Sequence, residues 1–397
     1  MHPSQEPQRS RRQLIFGAAA AAVLQLAACA PPNLGQPGRA APITPATARL
    51  RLIGEARLPN RMQFQGSTVG GLSGIDYDPA SGLYFLLSDD DSSRNPARFY
   101  TARMALDANH MGQPEIVSVT SLRQADGSPY PANLLDPESI RWRASSQTLV
   151  WTSEGSALAG VAPSLSESRL DGTLVRQFAL PAMFDFSLTR GPRNNLTFEG
   201  LSLTPDGKTA WVSMEGAMLQ DGPIPTPQAP GGPCRLTLID IASGKALRQI
   251  AYIPDAIPRP PRPALATADN GISEILMFDA DRMLVLERAY MAGYDSATGN
   301  SLRLYLIDTR GGSNTLALPA LLAGTYTPVQ KTLLADFSAF VGPGAGVRLD
   351  RLDNTEGMTW GPRLPNGNRS LVFISDDNFN PRQITQLLAF EFLMDPS

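Results

Sequence analysis

The chain has 397 residues, with 34 lysines and arginines against 37 aspartates and glutamates and a formal net charge of −3 at pH 7. This balance excludes the basic surface that nucleic-acid-binding proteins present to phosphates. The 34 glycines and 35 prolines are typical of many short strands joined by turns, and less so of long helices.

Residues 1–29 have the features of an export signal. Arg11 and Arg12 precede a short apolar run from Leu14 to Ala28, and paired arginines resemble the signal of the folded-protein (Tat) route. The run is too short and too rich in alanine for a membrane span. We therefore expect a periplasmic or secreted protein.

Cys29 ends the sequence LAAC, which resembles a lipobox, and lipidation of Cys29 would make the protein a membrane-anchored lipoprotein. The alternative is an ordinary cleavage site that happens to contain a cysteine. Residues 30–47 are rich in proline, glycine and alanine and predict a flexible linker, so that the folded domain spans 48–397. A disulfide between Cys29 and Cys234 is not expected, because the first lies in the signal or is lipidated.

From residue 48 onward, a strand–turn–strand unit recurs five times, with a small or acidic opening and an acidic close. The copies are GGLSGIDYDPASGLYFLLSDD, DPESIRWRASSQTLVWTSEG, FEGLSLTPDGKTAWVSMEG, SEILMFDADRMLVLERAY and TEGMTWGPRLPNGNRSLVFISDDN. Further strands follow the copies, such as CRLTLIDIASGKALRQIAYI after the third. Two strand pairs per repeat make a four-stranded antiparallel sheet, which is one propeller blade.

The predicted fold class is all-β, a β-propeller of five to six four-stranded antiparallel blades. Five blades are counted directly, and a sixth, degenerate one would have to lie in 217–233 or 309–345. The N-terminal ARLRLIGEARLP and the C-terminal QITQLLAFEF lack neighbouring partners, so we expect them to pair in one blade and close the ring. Two sandwiches of shorter repeats are the alternative, which the spread of one unit along the chain disfavours.

The acids of the repeated unit are the candidate functional residues. The opening acids are Glu138, Glu199, Glu274 and Glu356, with Gly70 or Gly71 in their place in the first copy. The closing acids are Asp89 to Asp91, Glu154, Glu215, Glu287, and Asp376 with Asp377. Acids at one place in successive blades converge near the axis, where they repel unless a cation neutralises them. Such hard oxygen ligands suit Ca²⁺ or Mg²⁺, and we expect one face of the propeller to be acidic.

Structural interpretations of these residues stay open. An opening glutamate can accept backbone N–H groups of the next blade and lock the two together, and the aspartate runs can cap turns. Arg288 either clamps a substrate phosphate or carboxylate or neutralises the acids as an ion pair. Histidine chemistry is disfavoured, because His2 lies in the signal and His110 in the polar loop DANHMGQ.

The motifs NLTFEGLSLTPDGKTAWVSMEG, LVLERAY, NTEGMTWGP and LVFISDDNF make the chain similar to the phytase-like family of exported bacterial β-propellers, described by esterase-like activity of phytase. The resemblance covers roughly residues 65 to 392. It implies Ca²⁺ held by axial carboxylates, for which the metal ligands would be Asp89, Glu138, Glu154, Glu199, Glu215, Glu274, Glu287, Glu356 and Asp376. Among the candidate residues we expect Glu199, Glu215 and Arg288 to be catalytic.

The sequence thus predicts an exported, Ca²⁺-dependent hydrolase that acts on a small-molecule phosphoester or related ester. We expect a monomer with no nucleic-acid partner. Two alternatives stay open: a lactonase-like propeller with one central Ca²⁺, and a non-catalytic envelope binding or scaffold propeller whose acids are structural.

Overall fold

A computed structural model describes residues 50–157, 159–294 and 299–393. The predicted export signal, Cys29 and the linker 30–47 lie outside these residues. Within the three ranges, no helix is long and apolar enough to cross a membrane. The helices found there are two short 3-10 turns, Ala182–Phe184 and Phe337–Phe340.

Strands make up the fold, and most belong to four-stranded antiparallel blades. The chain begins with β1 (Leu50–Leu58) and the hairpin of β2 (Met62–Phe64) and β3 (Ser67–Val69). Blade 1 contains β4 (Leu72–Asp78), β5 (Leu83–Ser88), β6 (Arg98–Arg103) and β7 (Glu115–Ser121). Blade 2 contains β8 (Pro137–Arg143), β9 (Thr148–Ser153), β10 (Ser164–Arg169) and β11 (Leu174–Gln177).

The remaining blades repeat this arrangement. Blade 3 contains β12 (Phe198–Leu203), β13 (Thr209–Met214), β14 (Cys234–Asp240) and β15 (Ala246–Tyr252). Blade 4 contains β16 (Ala268–Met277), β17 (Arg282–Met291), β18 (Asn300–Asp308) and β19 (Lys331–Asp336). Blade 5 contains β20 (Asn354–Arg363), β21 (Arg369–Asp376) and β22 (Thr385–Phe392).

The N-terminal strand completes blade 5 and closes the ring. β1 pairs antiparallel with β22, from Leu50 opposite Phe392 to Leu58 opposite Thr385, which confirms the predicted closure. The described residues form five blades and not six. Segment 217–233 contains no named strand, and 309–345 supplies β19 and a 3-10 turn, so neither hides a sixth blade.

The apolar core lies between neighbouring blades, because each blade covers a face of the next. Leu201 and Val212 of blade 3 pack in one cluster with Ile275 and Val285 of blade 4. The second strand of a blade is therefore buried on both faces, as every residue of β9 is. This burial explains why the second strands read as continuous apolar runs and do not alternate.

Arg141 of β8 lies on the axis, where its side chain is 3% exposed. Its guanidinium donates at 2.6–3.2 Å to one backbone carbonyl on the innermost strand of each blade, those of Ile75, Ile140, Leu201, Ile275 and Met358. The Glu274 carboxylate pairs with it at 2.7 Å. A single side chain thus ties all five inner strands and closes the channel between the two faces.

A carboxylate ring at one mouth of the axis

The carbonyls bound by Arg141 mark equivalent positions in the five inner strands. Two residues before them, the chain has Ser73, Glu138, Glu199, Ser273 and Glu356. The five residues whose carbonyls Arg141 binds pair with Leu86, Trp151, Val212, Val285 and Phe373 of the second strands. Three residues after those partners stand Asp89, Glu154, Glu215, Arg288 and Asp376. Opening and closing positions therefore meet at one mouth of the axis.

A β-bulge re-aims these side chains. In each blade, the pairing of the inner strand with its neighbour shifts register just before the residue whose carbonyl Arg141 binds. Such bulges bend the strand and turn side chains that would otherwise alternate strictly. The five-fold repetition makes the bulge part of how this mouth is built.

The carboxylates meet within ligand distance of one another. Oxygen atoms of Glu154, Glu199 and Glu215 all lie within 4.8 Å of each other, and so do those of Asp136, Glu138 and Glu154. Glu154 belongs to both triads, so the two groups share an edge. Asp89, Glu356 and Asp376 complete what we call the carboxylate ring, since each interacts electrostatically with another of its members.

Burial and mutual repulsion raise the pKa values of the ring. Burial raises the pKa of Glu215 to about 8, although the Arg288 charge lowers it. Burial, then the Asp91 and Glu356 charges, raise the pKa of Asp136 to about 7. The pKa of Glu199 lies well above its usual range, first through burial and then through the charges of Glu215 and Glu154.

Among the buried members of the ring, two receive no hydrogen bond on their carboxylates from any described residue. Glu138 and Glu199 are only 8% and 6% exposed, and no described residue donates to either side chain. Glu154, by contrast, accepts the backbone N–H of Thr197 in the next blade. Among the opening glutamates, blade locking fits Glu274, which accepts the backbone N–H of Leu201 in blade 3 at 2.9 Å. The closing Glu154 makes a similar contact, while Glu138 and Glu199 are left with unused oxygen atoms.

Arg288 supplies the positive charge inside the ring. Its Nη2 atom lies 3.3 Å from Glu215 and 3.5 Å from Glu356, and its Nη1 atom lies 3.3 Å from Asp269. Its Nε atom is buried without a hydrogen-bond partner among the described residues. The arginine thus neutralises part of the ring and keeps one donor unused.

Glu274 and Glu287 lie outside the ring, although the sequence predicts them as metal ligands. Each stands one residue out of register, since Ser273 and Arg288 occupy the equivalent places, and a one-residue offset in a strand turns the side chain to the other face. Glu274 binds Arg141 and accepts from Ser139 Oγ at 2.7 Å. Glu287 accepts from Tyr252 Oη at 2.6 Å and pairs with Lys331. Both carboxylates are structurally committed.

Sequence reasoning missed Asp136, Asp269 and Asn354. Asp136 directly precedes β8 at the start of the second repeat copy, DPES. An acid at this place in the repeat is a signal that could have identified it. Asn354 donates to Glu356 at 2.9 Å and to Asp376 at 3.3 Å. In the first copy, the equivalent of the opening acid is Ser73 and not Gly70 or Gly71.

The turn-capping interpretation fits neighbouring aspartates. Asp377 accepts the backbone N–H of Phe379 at 3.0 Å, and Asp90 accepts those of Arg94 and Asn95 at 3.1 and 2.9 Å. His110 is exposed in the loop between β6 and β7 and lies outside the ring. Buried Cys234 donates its thiol to the backbone carbonyl of Glu215 at 3.2 Å.

A cavity of about 410 Å³ adjoins the ring. Asp136 and Glu154 form part of its wall, together with Asp91, Asn194 and Phe186. A small molecule in this cavity would contact the edge that the two carboxylate triads share.

Fold and site together define a five-bladed β-propeller with a buried carboxylate ring at one mouth of its axis. The family model described as "Phytase-like: Esterase-like activity of phytase" matches residues 67–379. The chain belongs to this phytase-like family.

Solved structures of other proteins are similar over most of the chain. A GH43 β-1,3-galactosidase is 9% identical, with a TM-score of 0.44, covering 86% of this chain and 95% of that one. The periplasmic gluconolactonase of Pseudomonas aeruginosa is 14% identical, with a TM-score of 0.32, covering 84% and 88%. No curated protein matches the chain in sequence.

Proposed function

We propose that the protein is a Ca²⁺-dependent hydrolase that acts on a phosphoester or related ester at the carboxylate ring. The observation that carries this proposal is the pair of buried carboxylates, Glu138 and Glu199, without hydrogen-bond donors among the described residues. A buried carboxylate lacking a donor is costly unless it is protonated or binds a cation.

The donor set fits calcium. The two triads offer only carboxylate oxygens, which are the hard ligands that Ca²⁺ prefers in sites of six to eight oxygens. Asp136, Glu138 and Glu154 would hold one ion, and Glu154, Glu199 and Glu215 a second. Two triads favour a multi-calcium phosphatase over the lactonase-like alternative with one central ion.

Bound calcium would polarise the phosphoryl or acyl oxygen and neutralise the ring. Arg288, fixed by Glu215 and Glu356, would place its positive charge beside a substrate anion bound at the ring and help to orient it. Glu199 and Glu215 lie in the ring where an attacking water would lose its proton, and either carboxylate can accept it at short range.

The cavity beside the ring restricts the substrate. Its described lining contains no lysine or arginine, the side chains that bind phosphate most strongly. We infer a substrate with one hydrolysable anionic group on a polar body, rather than one bearing many phosphates.

The proposal is tested by assaying the full-length protein on p-nitrophenyl phosphate and p-nitrophenyl butyrate, with calcium or with EGTA. We expect turnover with calcium and a loss on the order of 100-fold with EGTA or in Glu199→Gln, the size typical of losing a charge-stabilising group. Glu167→Gln is the matched control, because Glu167 is equally buried but pairs with Arg143 and Arg176. Absence of turnover in every condition would leave the non-catalytic alternative.

We also propose export and lipid anchoring at Cys29, on the strength of Arg11, Arg12 and the LAAC sequence. Cell fractionation tests this: Arg11→Lys/Arg12→Lys should retain the precursor inside the cell, and Cys29→Ser should release the protein from membranes. An unchanged distribution of both variants would contradict it.

A further inference from the structure

The opposite mouth of the axis holds a second cavity, of about 500 Å³. It lies beyond Arg141, where the inner strands end, and residues of all five blades line it. Its apolar walls include Leu203, Met277, Phe278 and Trp360. This volume is within the range of small-molecule sites.

Two arginines, Arg363 and Arg369, lie on one side of this cavity. The Arg369 guanidinium stacks on Trp360, with Cζ 3.3 Å from the ring centroid, and Nη1 donates to the Phe278 carbonyl at 2.8 Å. Arg363 donates to the Gly367 carbonyl at 3.0 Å. Across the described ranges, no carboxylate forms an ion pair with either arginine, so each keeps unused N–H donors.

The two positive charges act on each other. Burial and then the Arg363 charge lower the pKa of Arg369 to about 10. Like charges held close together cost free energy, which the Asp279 charge offsets in part, and an anion bound between the two guanidinium groups would offset it further.

The other charged groups around the cavity are already committed. Asp279 pairs with Arg282 at 2.6 Å. Asp76 accepts the Trp142 backbone N–H and the Thr359 hydroxyl, both at 2.7 Å. Arg141 spends its donors on the five inner-strand carbonyls. Among the described residues, the free positively charged donors at this mouth are therefore those of Arg363 and Arg369.

We propose that this cavity binds an organic anion whose carboxylate or phosphate group bridges Arg363 and Arg369. The apolar ring of the anion packs against Phe278, Trp142 and Trp360 in the cavity wall. Planar guanidinium groups match both acid groups in geometry. The site is separate from the carboxylate ring, because the Arg141 side chain closes the channel between them. Anion binding here is independent of the proposed hydrolysis.

Isothermal titration of the full-length protein in EGTA tests the proposal, since the chelator keeps calcium from capturing the anion at the other mouth. The probes are naphthoate and naphthyl phosphate, with naphthalenemethanol as the neutral analogue and acetate as the anion without a ring. We expect saturable binding of one or both aromatic anions, at least about tenfold tighter than the alcohol or acetate, because charge-assisted hydrogen bonds contribute that much. The tighter-binding of the two aromatic anions shows whether the site prefers a carboxylate or a phosphate.

Arg363→Gln and Arg369→Gln should each lower the affinity for the aromatic anion about tenfold or more. Arg103→Gln is the matched control, because exposed Arg103 likewise donates to one backbone carbonyl, that of Ser81, and it should bind as the wild type does. Equal binding of anion and alcohol by the wild type would overturn the proposal whether or not the variants fold. Unchanged anion affinity in both folded variants would overturn it as well.

Discussion

Arg288 occupies, in blade 4, the closing position that carboxylates occupy in the other four blades. It is 12% exposed and contacts Glu215, Glu356 and Asp269. The two interpretations of this residue, ion pair and substrate clamp, are compatible, because a guanidinium has five N–H donors and these three contacts do not use them all.

Replacing Arg288 by glutamine separates the two roles. Loss of its charge should tighten calcium binding about tenfold, since a positive charge held among the ring carboxylates repels a bound cation. It should also raise KM for an anionic ester. Calcium titration and steady-state kinetics measure the two effects. Weaker calcium binding combined with an unchanged KM would contradict both assignments.

The raised pKa values of the ring predict an unusual pH dependence of stability in the metal-free protein. Folding moves the pKa of Glu215 from 4.5 to about 8 and that of Asp136 from 3.8 to about 7. The folded state then binds more protons than the unfolded state between these values, so stability is highest below about pH 4 for these groups and is lost towards pH 8.

Thermal melting in EGTA from about pH 5 to about pH 8 should therefore show Tm falling as pH rises, and calcium should remove most of the fall at the alkaline end. Glu215→Gln should flatten the EGTA profile, because the amide does not titrate. A Tm that rises across this range in EGTA would be inconsistent with a ring of repelling carboxylates.

At the scale of elements, the inner strands are joined by Arg141. Arg141→Met should lower the free energy of unfolding by about 3–5 kcal/mol, because it leaves the buried Glu274 carboxylate without its cation and five carbonyls without their side-chain donor. Urea unfolding measures this loss. Arg103→Met, at an exposed site, should change it by less than about 0.5 kcal/mol, and a similar effect of both substitutions would show that Arg141 does not hold the inner strands together.

The blades themselves were predictable, because the strand–turn–strand unit repeats and each second strand is uniformly apolar. Pairing of β1 with β22 followed from two strands without neighbours. The position of Glu274 and Glu287 was not predictable in the same way, because a bulge shifts the count between strands and one residue decides which way a side chain faces.

The partner of Glu274 was also beyond sequence reasoning. Arg141 lies in blade 2 and Glu274 in blade 4, and nothing in either motif shows that one arginine reaches five strands. Asp136 differs, since its place just before β8 made it a candidate that the acidic repeat pattern did not include.

At the scale of the whole molecule, the two mouths of the axis carry opposite charge. One presents the carboxylate ring, the other Arg363 and Arg369, and Arg141 closes the channel between them. If the two proposals hold, the cation and the anion bind at separate mouths of one propeller.

The most direct test of calcium binding by the ring is a calcium titration of the melting temperature for the wild type, Glu199→Gln and Glu274→Gln. Calcium should raise the wild-type Tm by several degrees, as about 2.7 kcal/mol of linkage at a hundredfold excess over Kd implies. Glu199→Gln should lose most of this shift, while Glu274→Gln should melt lower without calcium and keep the shift. A wild-type Tm independent of calcium, or an undiminished shift in Glu199→Gln, would contradict the assignment of the ring as a calcium site.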